Sequence, residues 1–223
     1  METGPRSLAL LLGFIAAACP PAAGQALPNP YRAVDGWAKM PPGRSMGAVG
    51  DLMFTADGKF LWAIVRCDAA ERNRFGDECA DSNLDPVIQF DREGRFVRSF
   101  GGGLFVWPHG LDVDRSGNVW VTDAVIPTRT PKGKRGHQVV KFSPEGKVLL
   151  TLGTPGVPGG GPDHLNSPSD VAIAANGDIF VADSHSFTDG NNRVVKYSPE
   201  GKFIKAWGRT GYAPGEFRML HSI

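Results

Sequence analysis

The chain has 223 residues, which is enough for one ordinary domain with a hydrophobic core. Its 24 basic and 23 acidic residues nearly cancel and form no basic stripe, so we do not expect it to bind nucleic acid. The 29 glycines and 18 prolines are typical of a fold with many tight turns and argue against long helices.

The N-terminal segment is predicted to be a signal peptide. Arg6 precedes an apolar run over residues 8–18, and small residues follow this run. A charged start, an apolar stretch and a small-residue exit are typical of a cleaved secretory signal, here residues 1–24. We therefore expect a secreted or periplasmic protein, with a lipid anchor at Cys19 as the alternative. The apolar run is too short to span a membrane, and no other stretch is long enough.

Two cysteines remain after the predicted signal, Cys67 and Cys79, and both lie in one polar loop. In an oxidising compartment we expect them to form a disulfide, which would add about 2–3 kcal/mol through loop-closure entropy. The alternative is a pair of unrelated thiols.

Short strands separated by tight turns dominate the rest of the chain. Residues 25–47 carry four prolines and read as an irregular lead-in. Residues 107–123 read as a strand, a polar turn and a second strand, because apolar and polar residues alternate and valine and tryptophan favour strands. The same unit returns at 169–183 and, more weakly, at 50–65.

A second strand–turn–strand segment accompanies each of these units, at 87–101, 139–153 and 194–208. Each repeat therefore supplies four short strands, at a period of about fifty residues, which is the signature of a β-propeller blade. We predict an all-β fold, with residues 48–223 forming two nearly complete blades and a partial one before them.

The predicted blades are too few to close a propeller, which needs roughly 4–8. Residues 217–223 read as the first strand of a further blade. We therefore expect the chain to be a fragment of a longer protein, truncated at its C-terminal end, with closure by association as the alternative.

Two histidines occupy the same position in the repeat. His109 and His221 each stand at the predicted start of an innermost strand, and these strands line the central channel of a propeller. Both imidazoles could thus converge on one zinc ion, which is often held by three histidines with a fourth position open for substrate. In the alternative interpretation each histidine satisfies only a turn carbonyl.

Several motifs together resemble a known family. Those with a histidine are Pro108-His109-Gly110-Leu111, His137-Gln138-Val139 and Leu220-His221-Ser222, and the strand–turn–strand pieces include Gly117-Asn118-Val119-Trp120 and Pro168-Ser169-Asp170-Val171. The repeat resembles the NHL type. Residues 48–223 resemble the first half of the peptidyl-α-hydroxyglycine α-amidating lyases, six-bladed zinc propellers. About three of six blades would then be present.

This resemblance implies roles for five residues. His109 and His221 would be zinc ligands, with the third ligand in a later blade. Arg66 would bind the substrate carboxylate, which a guanidinium can hold through two hydrogen bonds. The backbone carbonyls of Leu52 and Leu111 would hold a structural calcium ion.

The chain departs from the family where the catalytic tyrosine is expected. His185 stands at that position, and an insertion follows it. A histidine there could act as the general base, with a pKa closer to neutral than that of tyrosine. Alternatively, it marks a relative that has lost or changed the reaction.

The leading hypothesis is a secreted zinc-dependent lyase that acts on a small-molecule or peptide substrate. It would cleave the N–Cα bond of a peptidyl-α-hydroxyglycine and release a peptide amide and glyoxylate. One alternative is a non-catalytic NHL propeller that binds a protein, peptide or glycan. Another is a metal-dependent hydrolase or lactonase on the same scaffold, because a fold does not determine a function.

Overall fold

The computed structural model describes residues 29–67, 78–125, 135–185 and 190–223. The chain divides into two units, Met1–Asp35 and Gly36–Ile223, and all the strands below belong to the second. The predicted signal peptide, with Cys19, lies outside the described residues. Within those ranges, no helix is long and apolar enough to cross a membrane.

Twelve strands in the described ranges form three four-stranded antiparallel sheets, each in simple sequential order. The first sheet contains β1 (Val49–Phe54), β2 (Phe60–Val65), β3 (Val87–Asp91) and β4 (Phe96–Phe100). The second contains β5 (Pro108–Val113), β6 (Val119–Asp123), β7 (Gln138–Phe142) and β8 (Val148–Leu152). The third contains β9 (Pro168–Ile173), β10 (Ile179–Asp183), β11 (Arg193–Tyr197) and β12 (Phe203–Trp207).

This architecture confirms the predicted all-β fold with about three blades of the propeller type. The first blade, which the sequence indicated only in part, has all four strands. The predicted boundaries of the lead-in and the propeller stay predictions.

Tight turns set the register of each blade. Between β5 and β6 the Asp114 carboxylate accepts hydrogen bonds from the N–H groups of Ser116 and Asn118, at 2.9 and 3.0 Å. Gly117 completes the turn with a φ of 79°, a left-handed conformation that glycine adopts without steric cost. This turn pairs Val113 with Val119, so the apolar side chains of both strands share one face.

The hydrophobic core lies between neighbouring blades. One cluster joins the first and second sheets, and its largest members are Trp62, Phe100, Phe105 and Phe142. A second cluster joins the second and third sheets and includes Trp120, Leu165, Val181 and Tyr197. The opposite face of the first sheet is covered by Trp37, Ala38 and Met40 of the lead-in.

The prediction of a strand at 217–223 is wrong, because no regular strand is present there. An innermost strand is hydrogen-bonded only to the second strand of its own blade, and none of the described residues pairs with this segment in that way. The segment nevertheless lies beside β9, where the Ser169 hydroxyl donates to the Leu220 carbonyl at 2.8 Å.

Side-chain hydrogen bonds connect the innermost strands of successive blades. Three aspartates each accept one from a backbone N–H of the next strand or segment toward the C-terminus. The bonds are Leu111 to Asp51 at 2.9 Å, Ile173 to Asp112 at 2.6 Å and Ile223 to Asp170 at 3.0 Å.

Candidate functional site

His109 lies in β5, and its side chain is oriented by the neighbouring blade. The residue is 7% exposed, and its Nδ1 lies 2.9 Å from the carbonyl oxygen of Ser169. Because a carbonyl can only accept, Nδ1 carries the proton and Nε2 keeps a lone pair. One nitrogen therefore satisfies a carbonyl, as one interpretation of the sequence proposed, while the other remains available for a ligand.

Three histidines converge at this point. His185 lies two residues beyond the end of β10, and His221 lies in the segment after β12. The ring centroid of His109 is 4.4 Å from that of His185 and 4.8 Å from that of His221. The Nε2 atoms of His185 and His221 are 3.2 Å apart. One nitrogen from each ring lies within 4.8 Å of the others, so the predicted convergence of His109 and His221 extends to His185.

Burial keeps two of these imidazoles neutral. It lowers the pKa of His109 to about 3, with further contributions from the neighbouring charges of His185 and Arg66. Burial also lowers the pKa of His185 to about 4, followed by the effect of His221. Neutral imidazole is the form that binds a metal ion.

Trp107 connects this cluster to Arg66. The indole ring lies 5.2 Å from the His109 ring and 4.6 Å from the His185 ring, and both contacts are edge-on. The guanidinium carbon of Arg66 lies 4.7 Å from the centroid of the same indole. The structure thus places the predicted carboxylate-binding residue one aromatic ring away from the histidines. Sequence reasoning missed Trp107, although it directly precedes the Pro108-His109 motif.

A disulfide positions Arg66. The predicted bond between Cys67 and Cys79 is present, with an S–S distance of 2.03 Å. Because Arg66 and Glu78 directly flank the two cysteines, the bond brings them together, and Arg66 Nη1 lies 3.9 Å from Glu78 Oε1. Arg66 Nε also donates to the Pro108 carbonyl at 3.2 Å. Glu78 was not anticipated, since only the folded loop brings it to the site.

A buried carboxylate holds the loop that carries Trp107. Asp123 ends β6 and is fully buried. It accepts hydrogen bonds from the backbone N–H groups of Val106, Trp107 and Gly136 and from the Gln138 side chain. Burial raises the pKa of Asp123 to about 6, although these donors favour the charged form.

The predicted calcium positions lie on adjacent innermost strands. Leu52 is in β1 and Leu111 in β5, and the Leu111 N–H donates to the Asp51 carboxylate at 2.9 Å. Calcium binding there stays a prediction. Burial raises the pKa of Asp51 and Asp112, and the charges of neighbouring aspartates add to the effect. Sequence reasoning missed these channel carboxylates because the contacts between them cross from one blade to the next.

A small cleft of about 120 Å³ is bordered by the carboxylates of Asp51 and Asp170 and by two of the histidines, His109 and His221. It is lined by Gly50, Asp51, His109, Gly110, Ser169, Asp170, His221 and Ser222. A larger cleft of about 190 Å³ lies near Asp114 and Lys141, at the opposite end of β5 from His109, and has no histidine in its lining.

Comparison with known proteins agrees with the resemblance in the sequence. The model of the NHL repeat family matches residues 165–197. The mouse peptidyl-glycine alpha-amidating monooxygenase is 37% identical over 147 residues, which are 62% of this chain and 14% of that protein. A probable peptidyl-alpha-hydroxyglycine alpha-amidating lyase of Caenorhabditis elegans is 33% identical over 156 residues, covering 69% of this chain and 41% of that protein. The mouse NHL repeat-containing protein 3 is 30% identical over 148 residues, covering 63% and 40%.

The match spans less than half of the length of each of these three relatives. The NHL repeat match and the four-stranded blades of the structure nevertheless both indicate a propeller-type fold. The chain therefore contains an NHL repeat within a propeller-type fold and is similar in sequence to the peptidyl-α-hydroxyglycine α-amidating lyases.

Proposed function

We propose that this chain belongs to a secreted, zinc-dependent lyase that cleaves the N–Cα bond of a peptidyl-α-hydroxyglycine. The observation that carries the proposal is the convergence of His109 and His221, one aromatic ring away from Arg66, in a chain similar to such lyases. The disulfide and the predicted signal peptide support secretion, since disulfides persist in oxidising compartments.

The donor set fits zinc. Imidazole nitrogen is a preferred ligand of this ion, and His109 keeps its Nε2 lone pair because Nδ1 donates to Ser169. His221 offers a second imidazole, with its ring centroid 4.8 Å from that of His109. Zinc held by these residues would supply a Lewis acid for the substrate hydroxyl oxygen.

Arg66 would orient the substrate through its carboxylate. Arg66 is only 8% exposed and its guanidinium lies against Trp107, so a carboxylate paired with it would be poorly screened by water. Its loose contact with Glu78, at 3.9 Å, can give way to a shorter one with the substrate. A carboxylate bound in this way would direct the hydroxyl-bearing carbon of the substrate toward the histidines.

The reaction itself needs neither water nor a redox partner. The hydroxyl of the substrate loses its proton and its C–O bond becomes a carbonyl. The N–Cα bond breaks, and its electron pair goes to the amide nitrogen, which takes up a proton. The products are the peptide amide and glyoxylate, so atoms and charge balance.

The test combines metal content with glyoxylate release from an N-acyl-α-hydroxyglycine peptide. We expect wild type to hold zinc and release glyoxylate, and His109→Ala to lose both. His164→Ala removes an imidazole outside the cluster and serves as the matched control. Full zinc occupancy in His109→Ala would contradict the ligand assignment, and a zinc-loaded wild type without glyoxylate release would reject the lyase.

A second candidate is a non-catalytic propeller that binds a protein, peptide or glycan. It is favoured by His185 at the position of the family's tyrosine and by the similarity to an NHL repeat-containing protein. Capture of a partner without turnover would support it. Turnover of esters or lactones would instead indicate a metal-dependent hydrolase.

We also propose a structural calcium ion on the carbonyls of Leu52 and Leu111. Calcium prefers oxygen ligands, and the carboxylate of Asp51 lies between their strands. Added calcium should raise the melting temperature, and EDTA should lower it. A melting temperature that responds to neither would remove calcium from the proposal.

A further inference from the structure

We infer that His185 is a third nitrogen ligand of the metal centre formed with His109 and His221, and not the general base. The inference rests on the zinc centre of the proposed function but concerns a residue to which the family resemblance assigns a different task. If it holds, three protein ligands are present within residues 109–221, without a histidine from a later blade.

The distance between two of the histidines has the value that zinc requires. In a tetrahedral site with Zn–N bonds of about 2.0–2.1 Å, two ligand nitrogens lie about 3.3 Å apart. The Nε2 atoms of His185 and His221 are 3.2 Å apart. Two imidazoles at this distance either share one proton in a hydrogen bond or present lone pairs to the same cation.

The third ring favours the shared cation. The His109 ring lies 4.4 Å from that of His185 and 4.8 Å from that of His221, so neither contact is much closer than the other. A hydrogen bond between His185 and His221 would not require the His109 ring to lie close to both of them. A metal ion needs a triangle of donors, and one nitrogen of each ring lies within 4.8 Å of the others, so the longest of these separations has to shorten by up to about 1.5 Å when zinc binds.

The surroundings of the cluster hold two of the rings in place. Ser169 accepts the Nδ1 proton of His109, which is the arrangement that commonly fixes the tautomer of a metal-bound histidine. Trp107 packs edge-on against both His109 and His185 and limits their rotation. An orientation fixed before binding reduces the entropy that is lost when a ligand is captured.

Three nitrogen ligands leave the fourth tetrahedral position open for a substrate oxygen. Arg66 lies beyond Trp107 and so defines the side from which an anionic group would approach. The centre would therefore accept a hydroxyl next to a carboxylate, which is the pattern of an α-hydroxy acid. The role of the family's tyrosine is then not taken by His185.

The test counts imidazoles on the bound metal and measures affinity separately from activity. X-ray absorption of the zinc-loaded wild-type protein should show three imidazole ligands, and His185→Phe should show two. Phenylalanine keeps a ring against Trp107 but has no ligand atom. Zinc affinity, measured by chelator competition, should fall at least about 100-fold in His185→Phe and in His109→Ala, since even losing an outer-shell partner costs 10–100-fold. His164→Ala should leave it unchanged.

The outcomes separate the two proposals. If His185→Phe keeps three imidazoles and the wild-type affinity, His185 is not a ligand and the inference is overturned. If His185→Phe and His109→Ala both lose zinc but the wild type releases no glyoxylate, the ligand set stands and the lyase is rejected. Circular dichroism of each variant checks its fold, and two imidazoles in the wild type overturn the inference even if His185→Phe does not fold.

Discussion

Replacing Cys67 and Cys79 together with alanine is expected to lower the free energy of unfolding by about 3 kcal/mol. The bond joins residues 12 positions apart. It closes a loop in the unfolded chain and lowers its entropy, and for a loop of this size the effect on stability is about 3 kcal/mol. For a chain of this length, such a loss corresponds to a decrease in melting temperature of about 6–12 °C.

The same change should weaken substrate binding in the proposed lyase. The disulfide holds Glu78 beside Arg66, at 3.9 Å, and so limits the positions that the guanidinium can take. Without the bond, ordering Arg66 costs additional entropy when the substrate carboxylate binds. We expect KM for an α-hydroxyglycine peptide to rise several-fold, with a smaller effect on kcat.

Urea unfolding followed by tryptophan fluorescence measures the stability, and glyoxylate release measures KM. Wild type treated with a phosphine reductant should behave like the double variant, whereas the reductant should not affect the double variant itself. A double variant that unfolds within 1 kcal/mol of wild type would refute the loop-closure reasoning. An unchanged KM would refute the link from the disulfide to Arg66.

Three further changes test other parts of the structure. Asp123→Asn puts an amide against backbone N–H donors and should cost about 2–3 kcal/mol in urea unfolding; a loss below 0.5 kcal/mol would contradict its role in holding the loop. Burial lowers the pKa of His137 to about 4, so the unfolded chain binds more protons between pH 6.5 and 4 and stability falls as the pH drops. His137→Gln keeps an acceptor for the Ser167 N–H. Between pH 7 and 5 its free energy of unfolding should fall by about 2 kcal/mol less than that of wild type, and an equal fall in both would show that His137 is not the source of the pH dependence. Arg66→Lys keeps the charge without the planar fork and should raise KM about tenfold, while an unchanged KM would exclude Arg66 from substrate binding.

The fold was predictable because its information is local. Alternating side chains, turn glycines and a period of about fifty residues identify the strands without any long-range contact. The failure at 217–223 has a physical cause, since an apolar stretch becomes a strand only when a partner satisfies its backbone groups.

The candidate site was predictable only where the repeat places equivalent residues at equivalent positions. That argument brought His109 and His221 together, and a family resemblance added Arg66 and His185. Trp107 and Glu78 escaped because their contacts depend on how loops cross between blades and on the closing disulfide. Neither type of contact leaves a periodic signal in the sequence.

The hydrogen bonds that the aspartates accept also determine the height of each histidine along the channel axis. Asp51 binds the N–H of Leu111, two residues after His109, and Asp170 binds the N–H of Ile223, two residues after His221. The same two-residue offset in both places brings the two imidazoles to the same level. Sliding either segment along the channel by one pleat would break its bond and separate the two rings by roughly 7 Å, twice the strand rise per residue. The alignment of the histidines is therefore set by the preceding blade in each case.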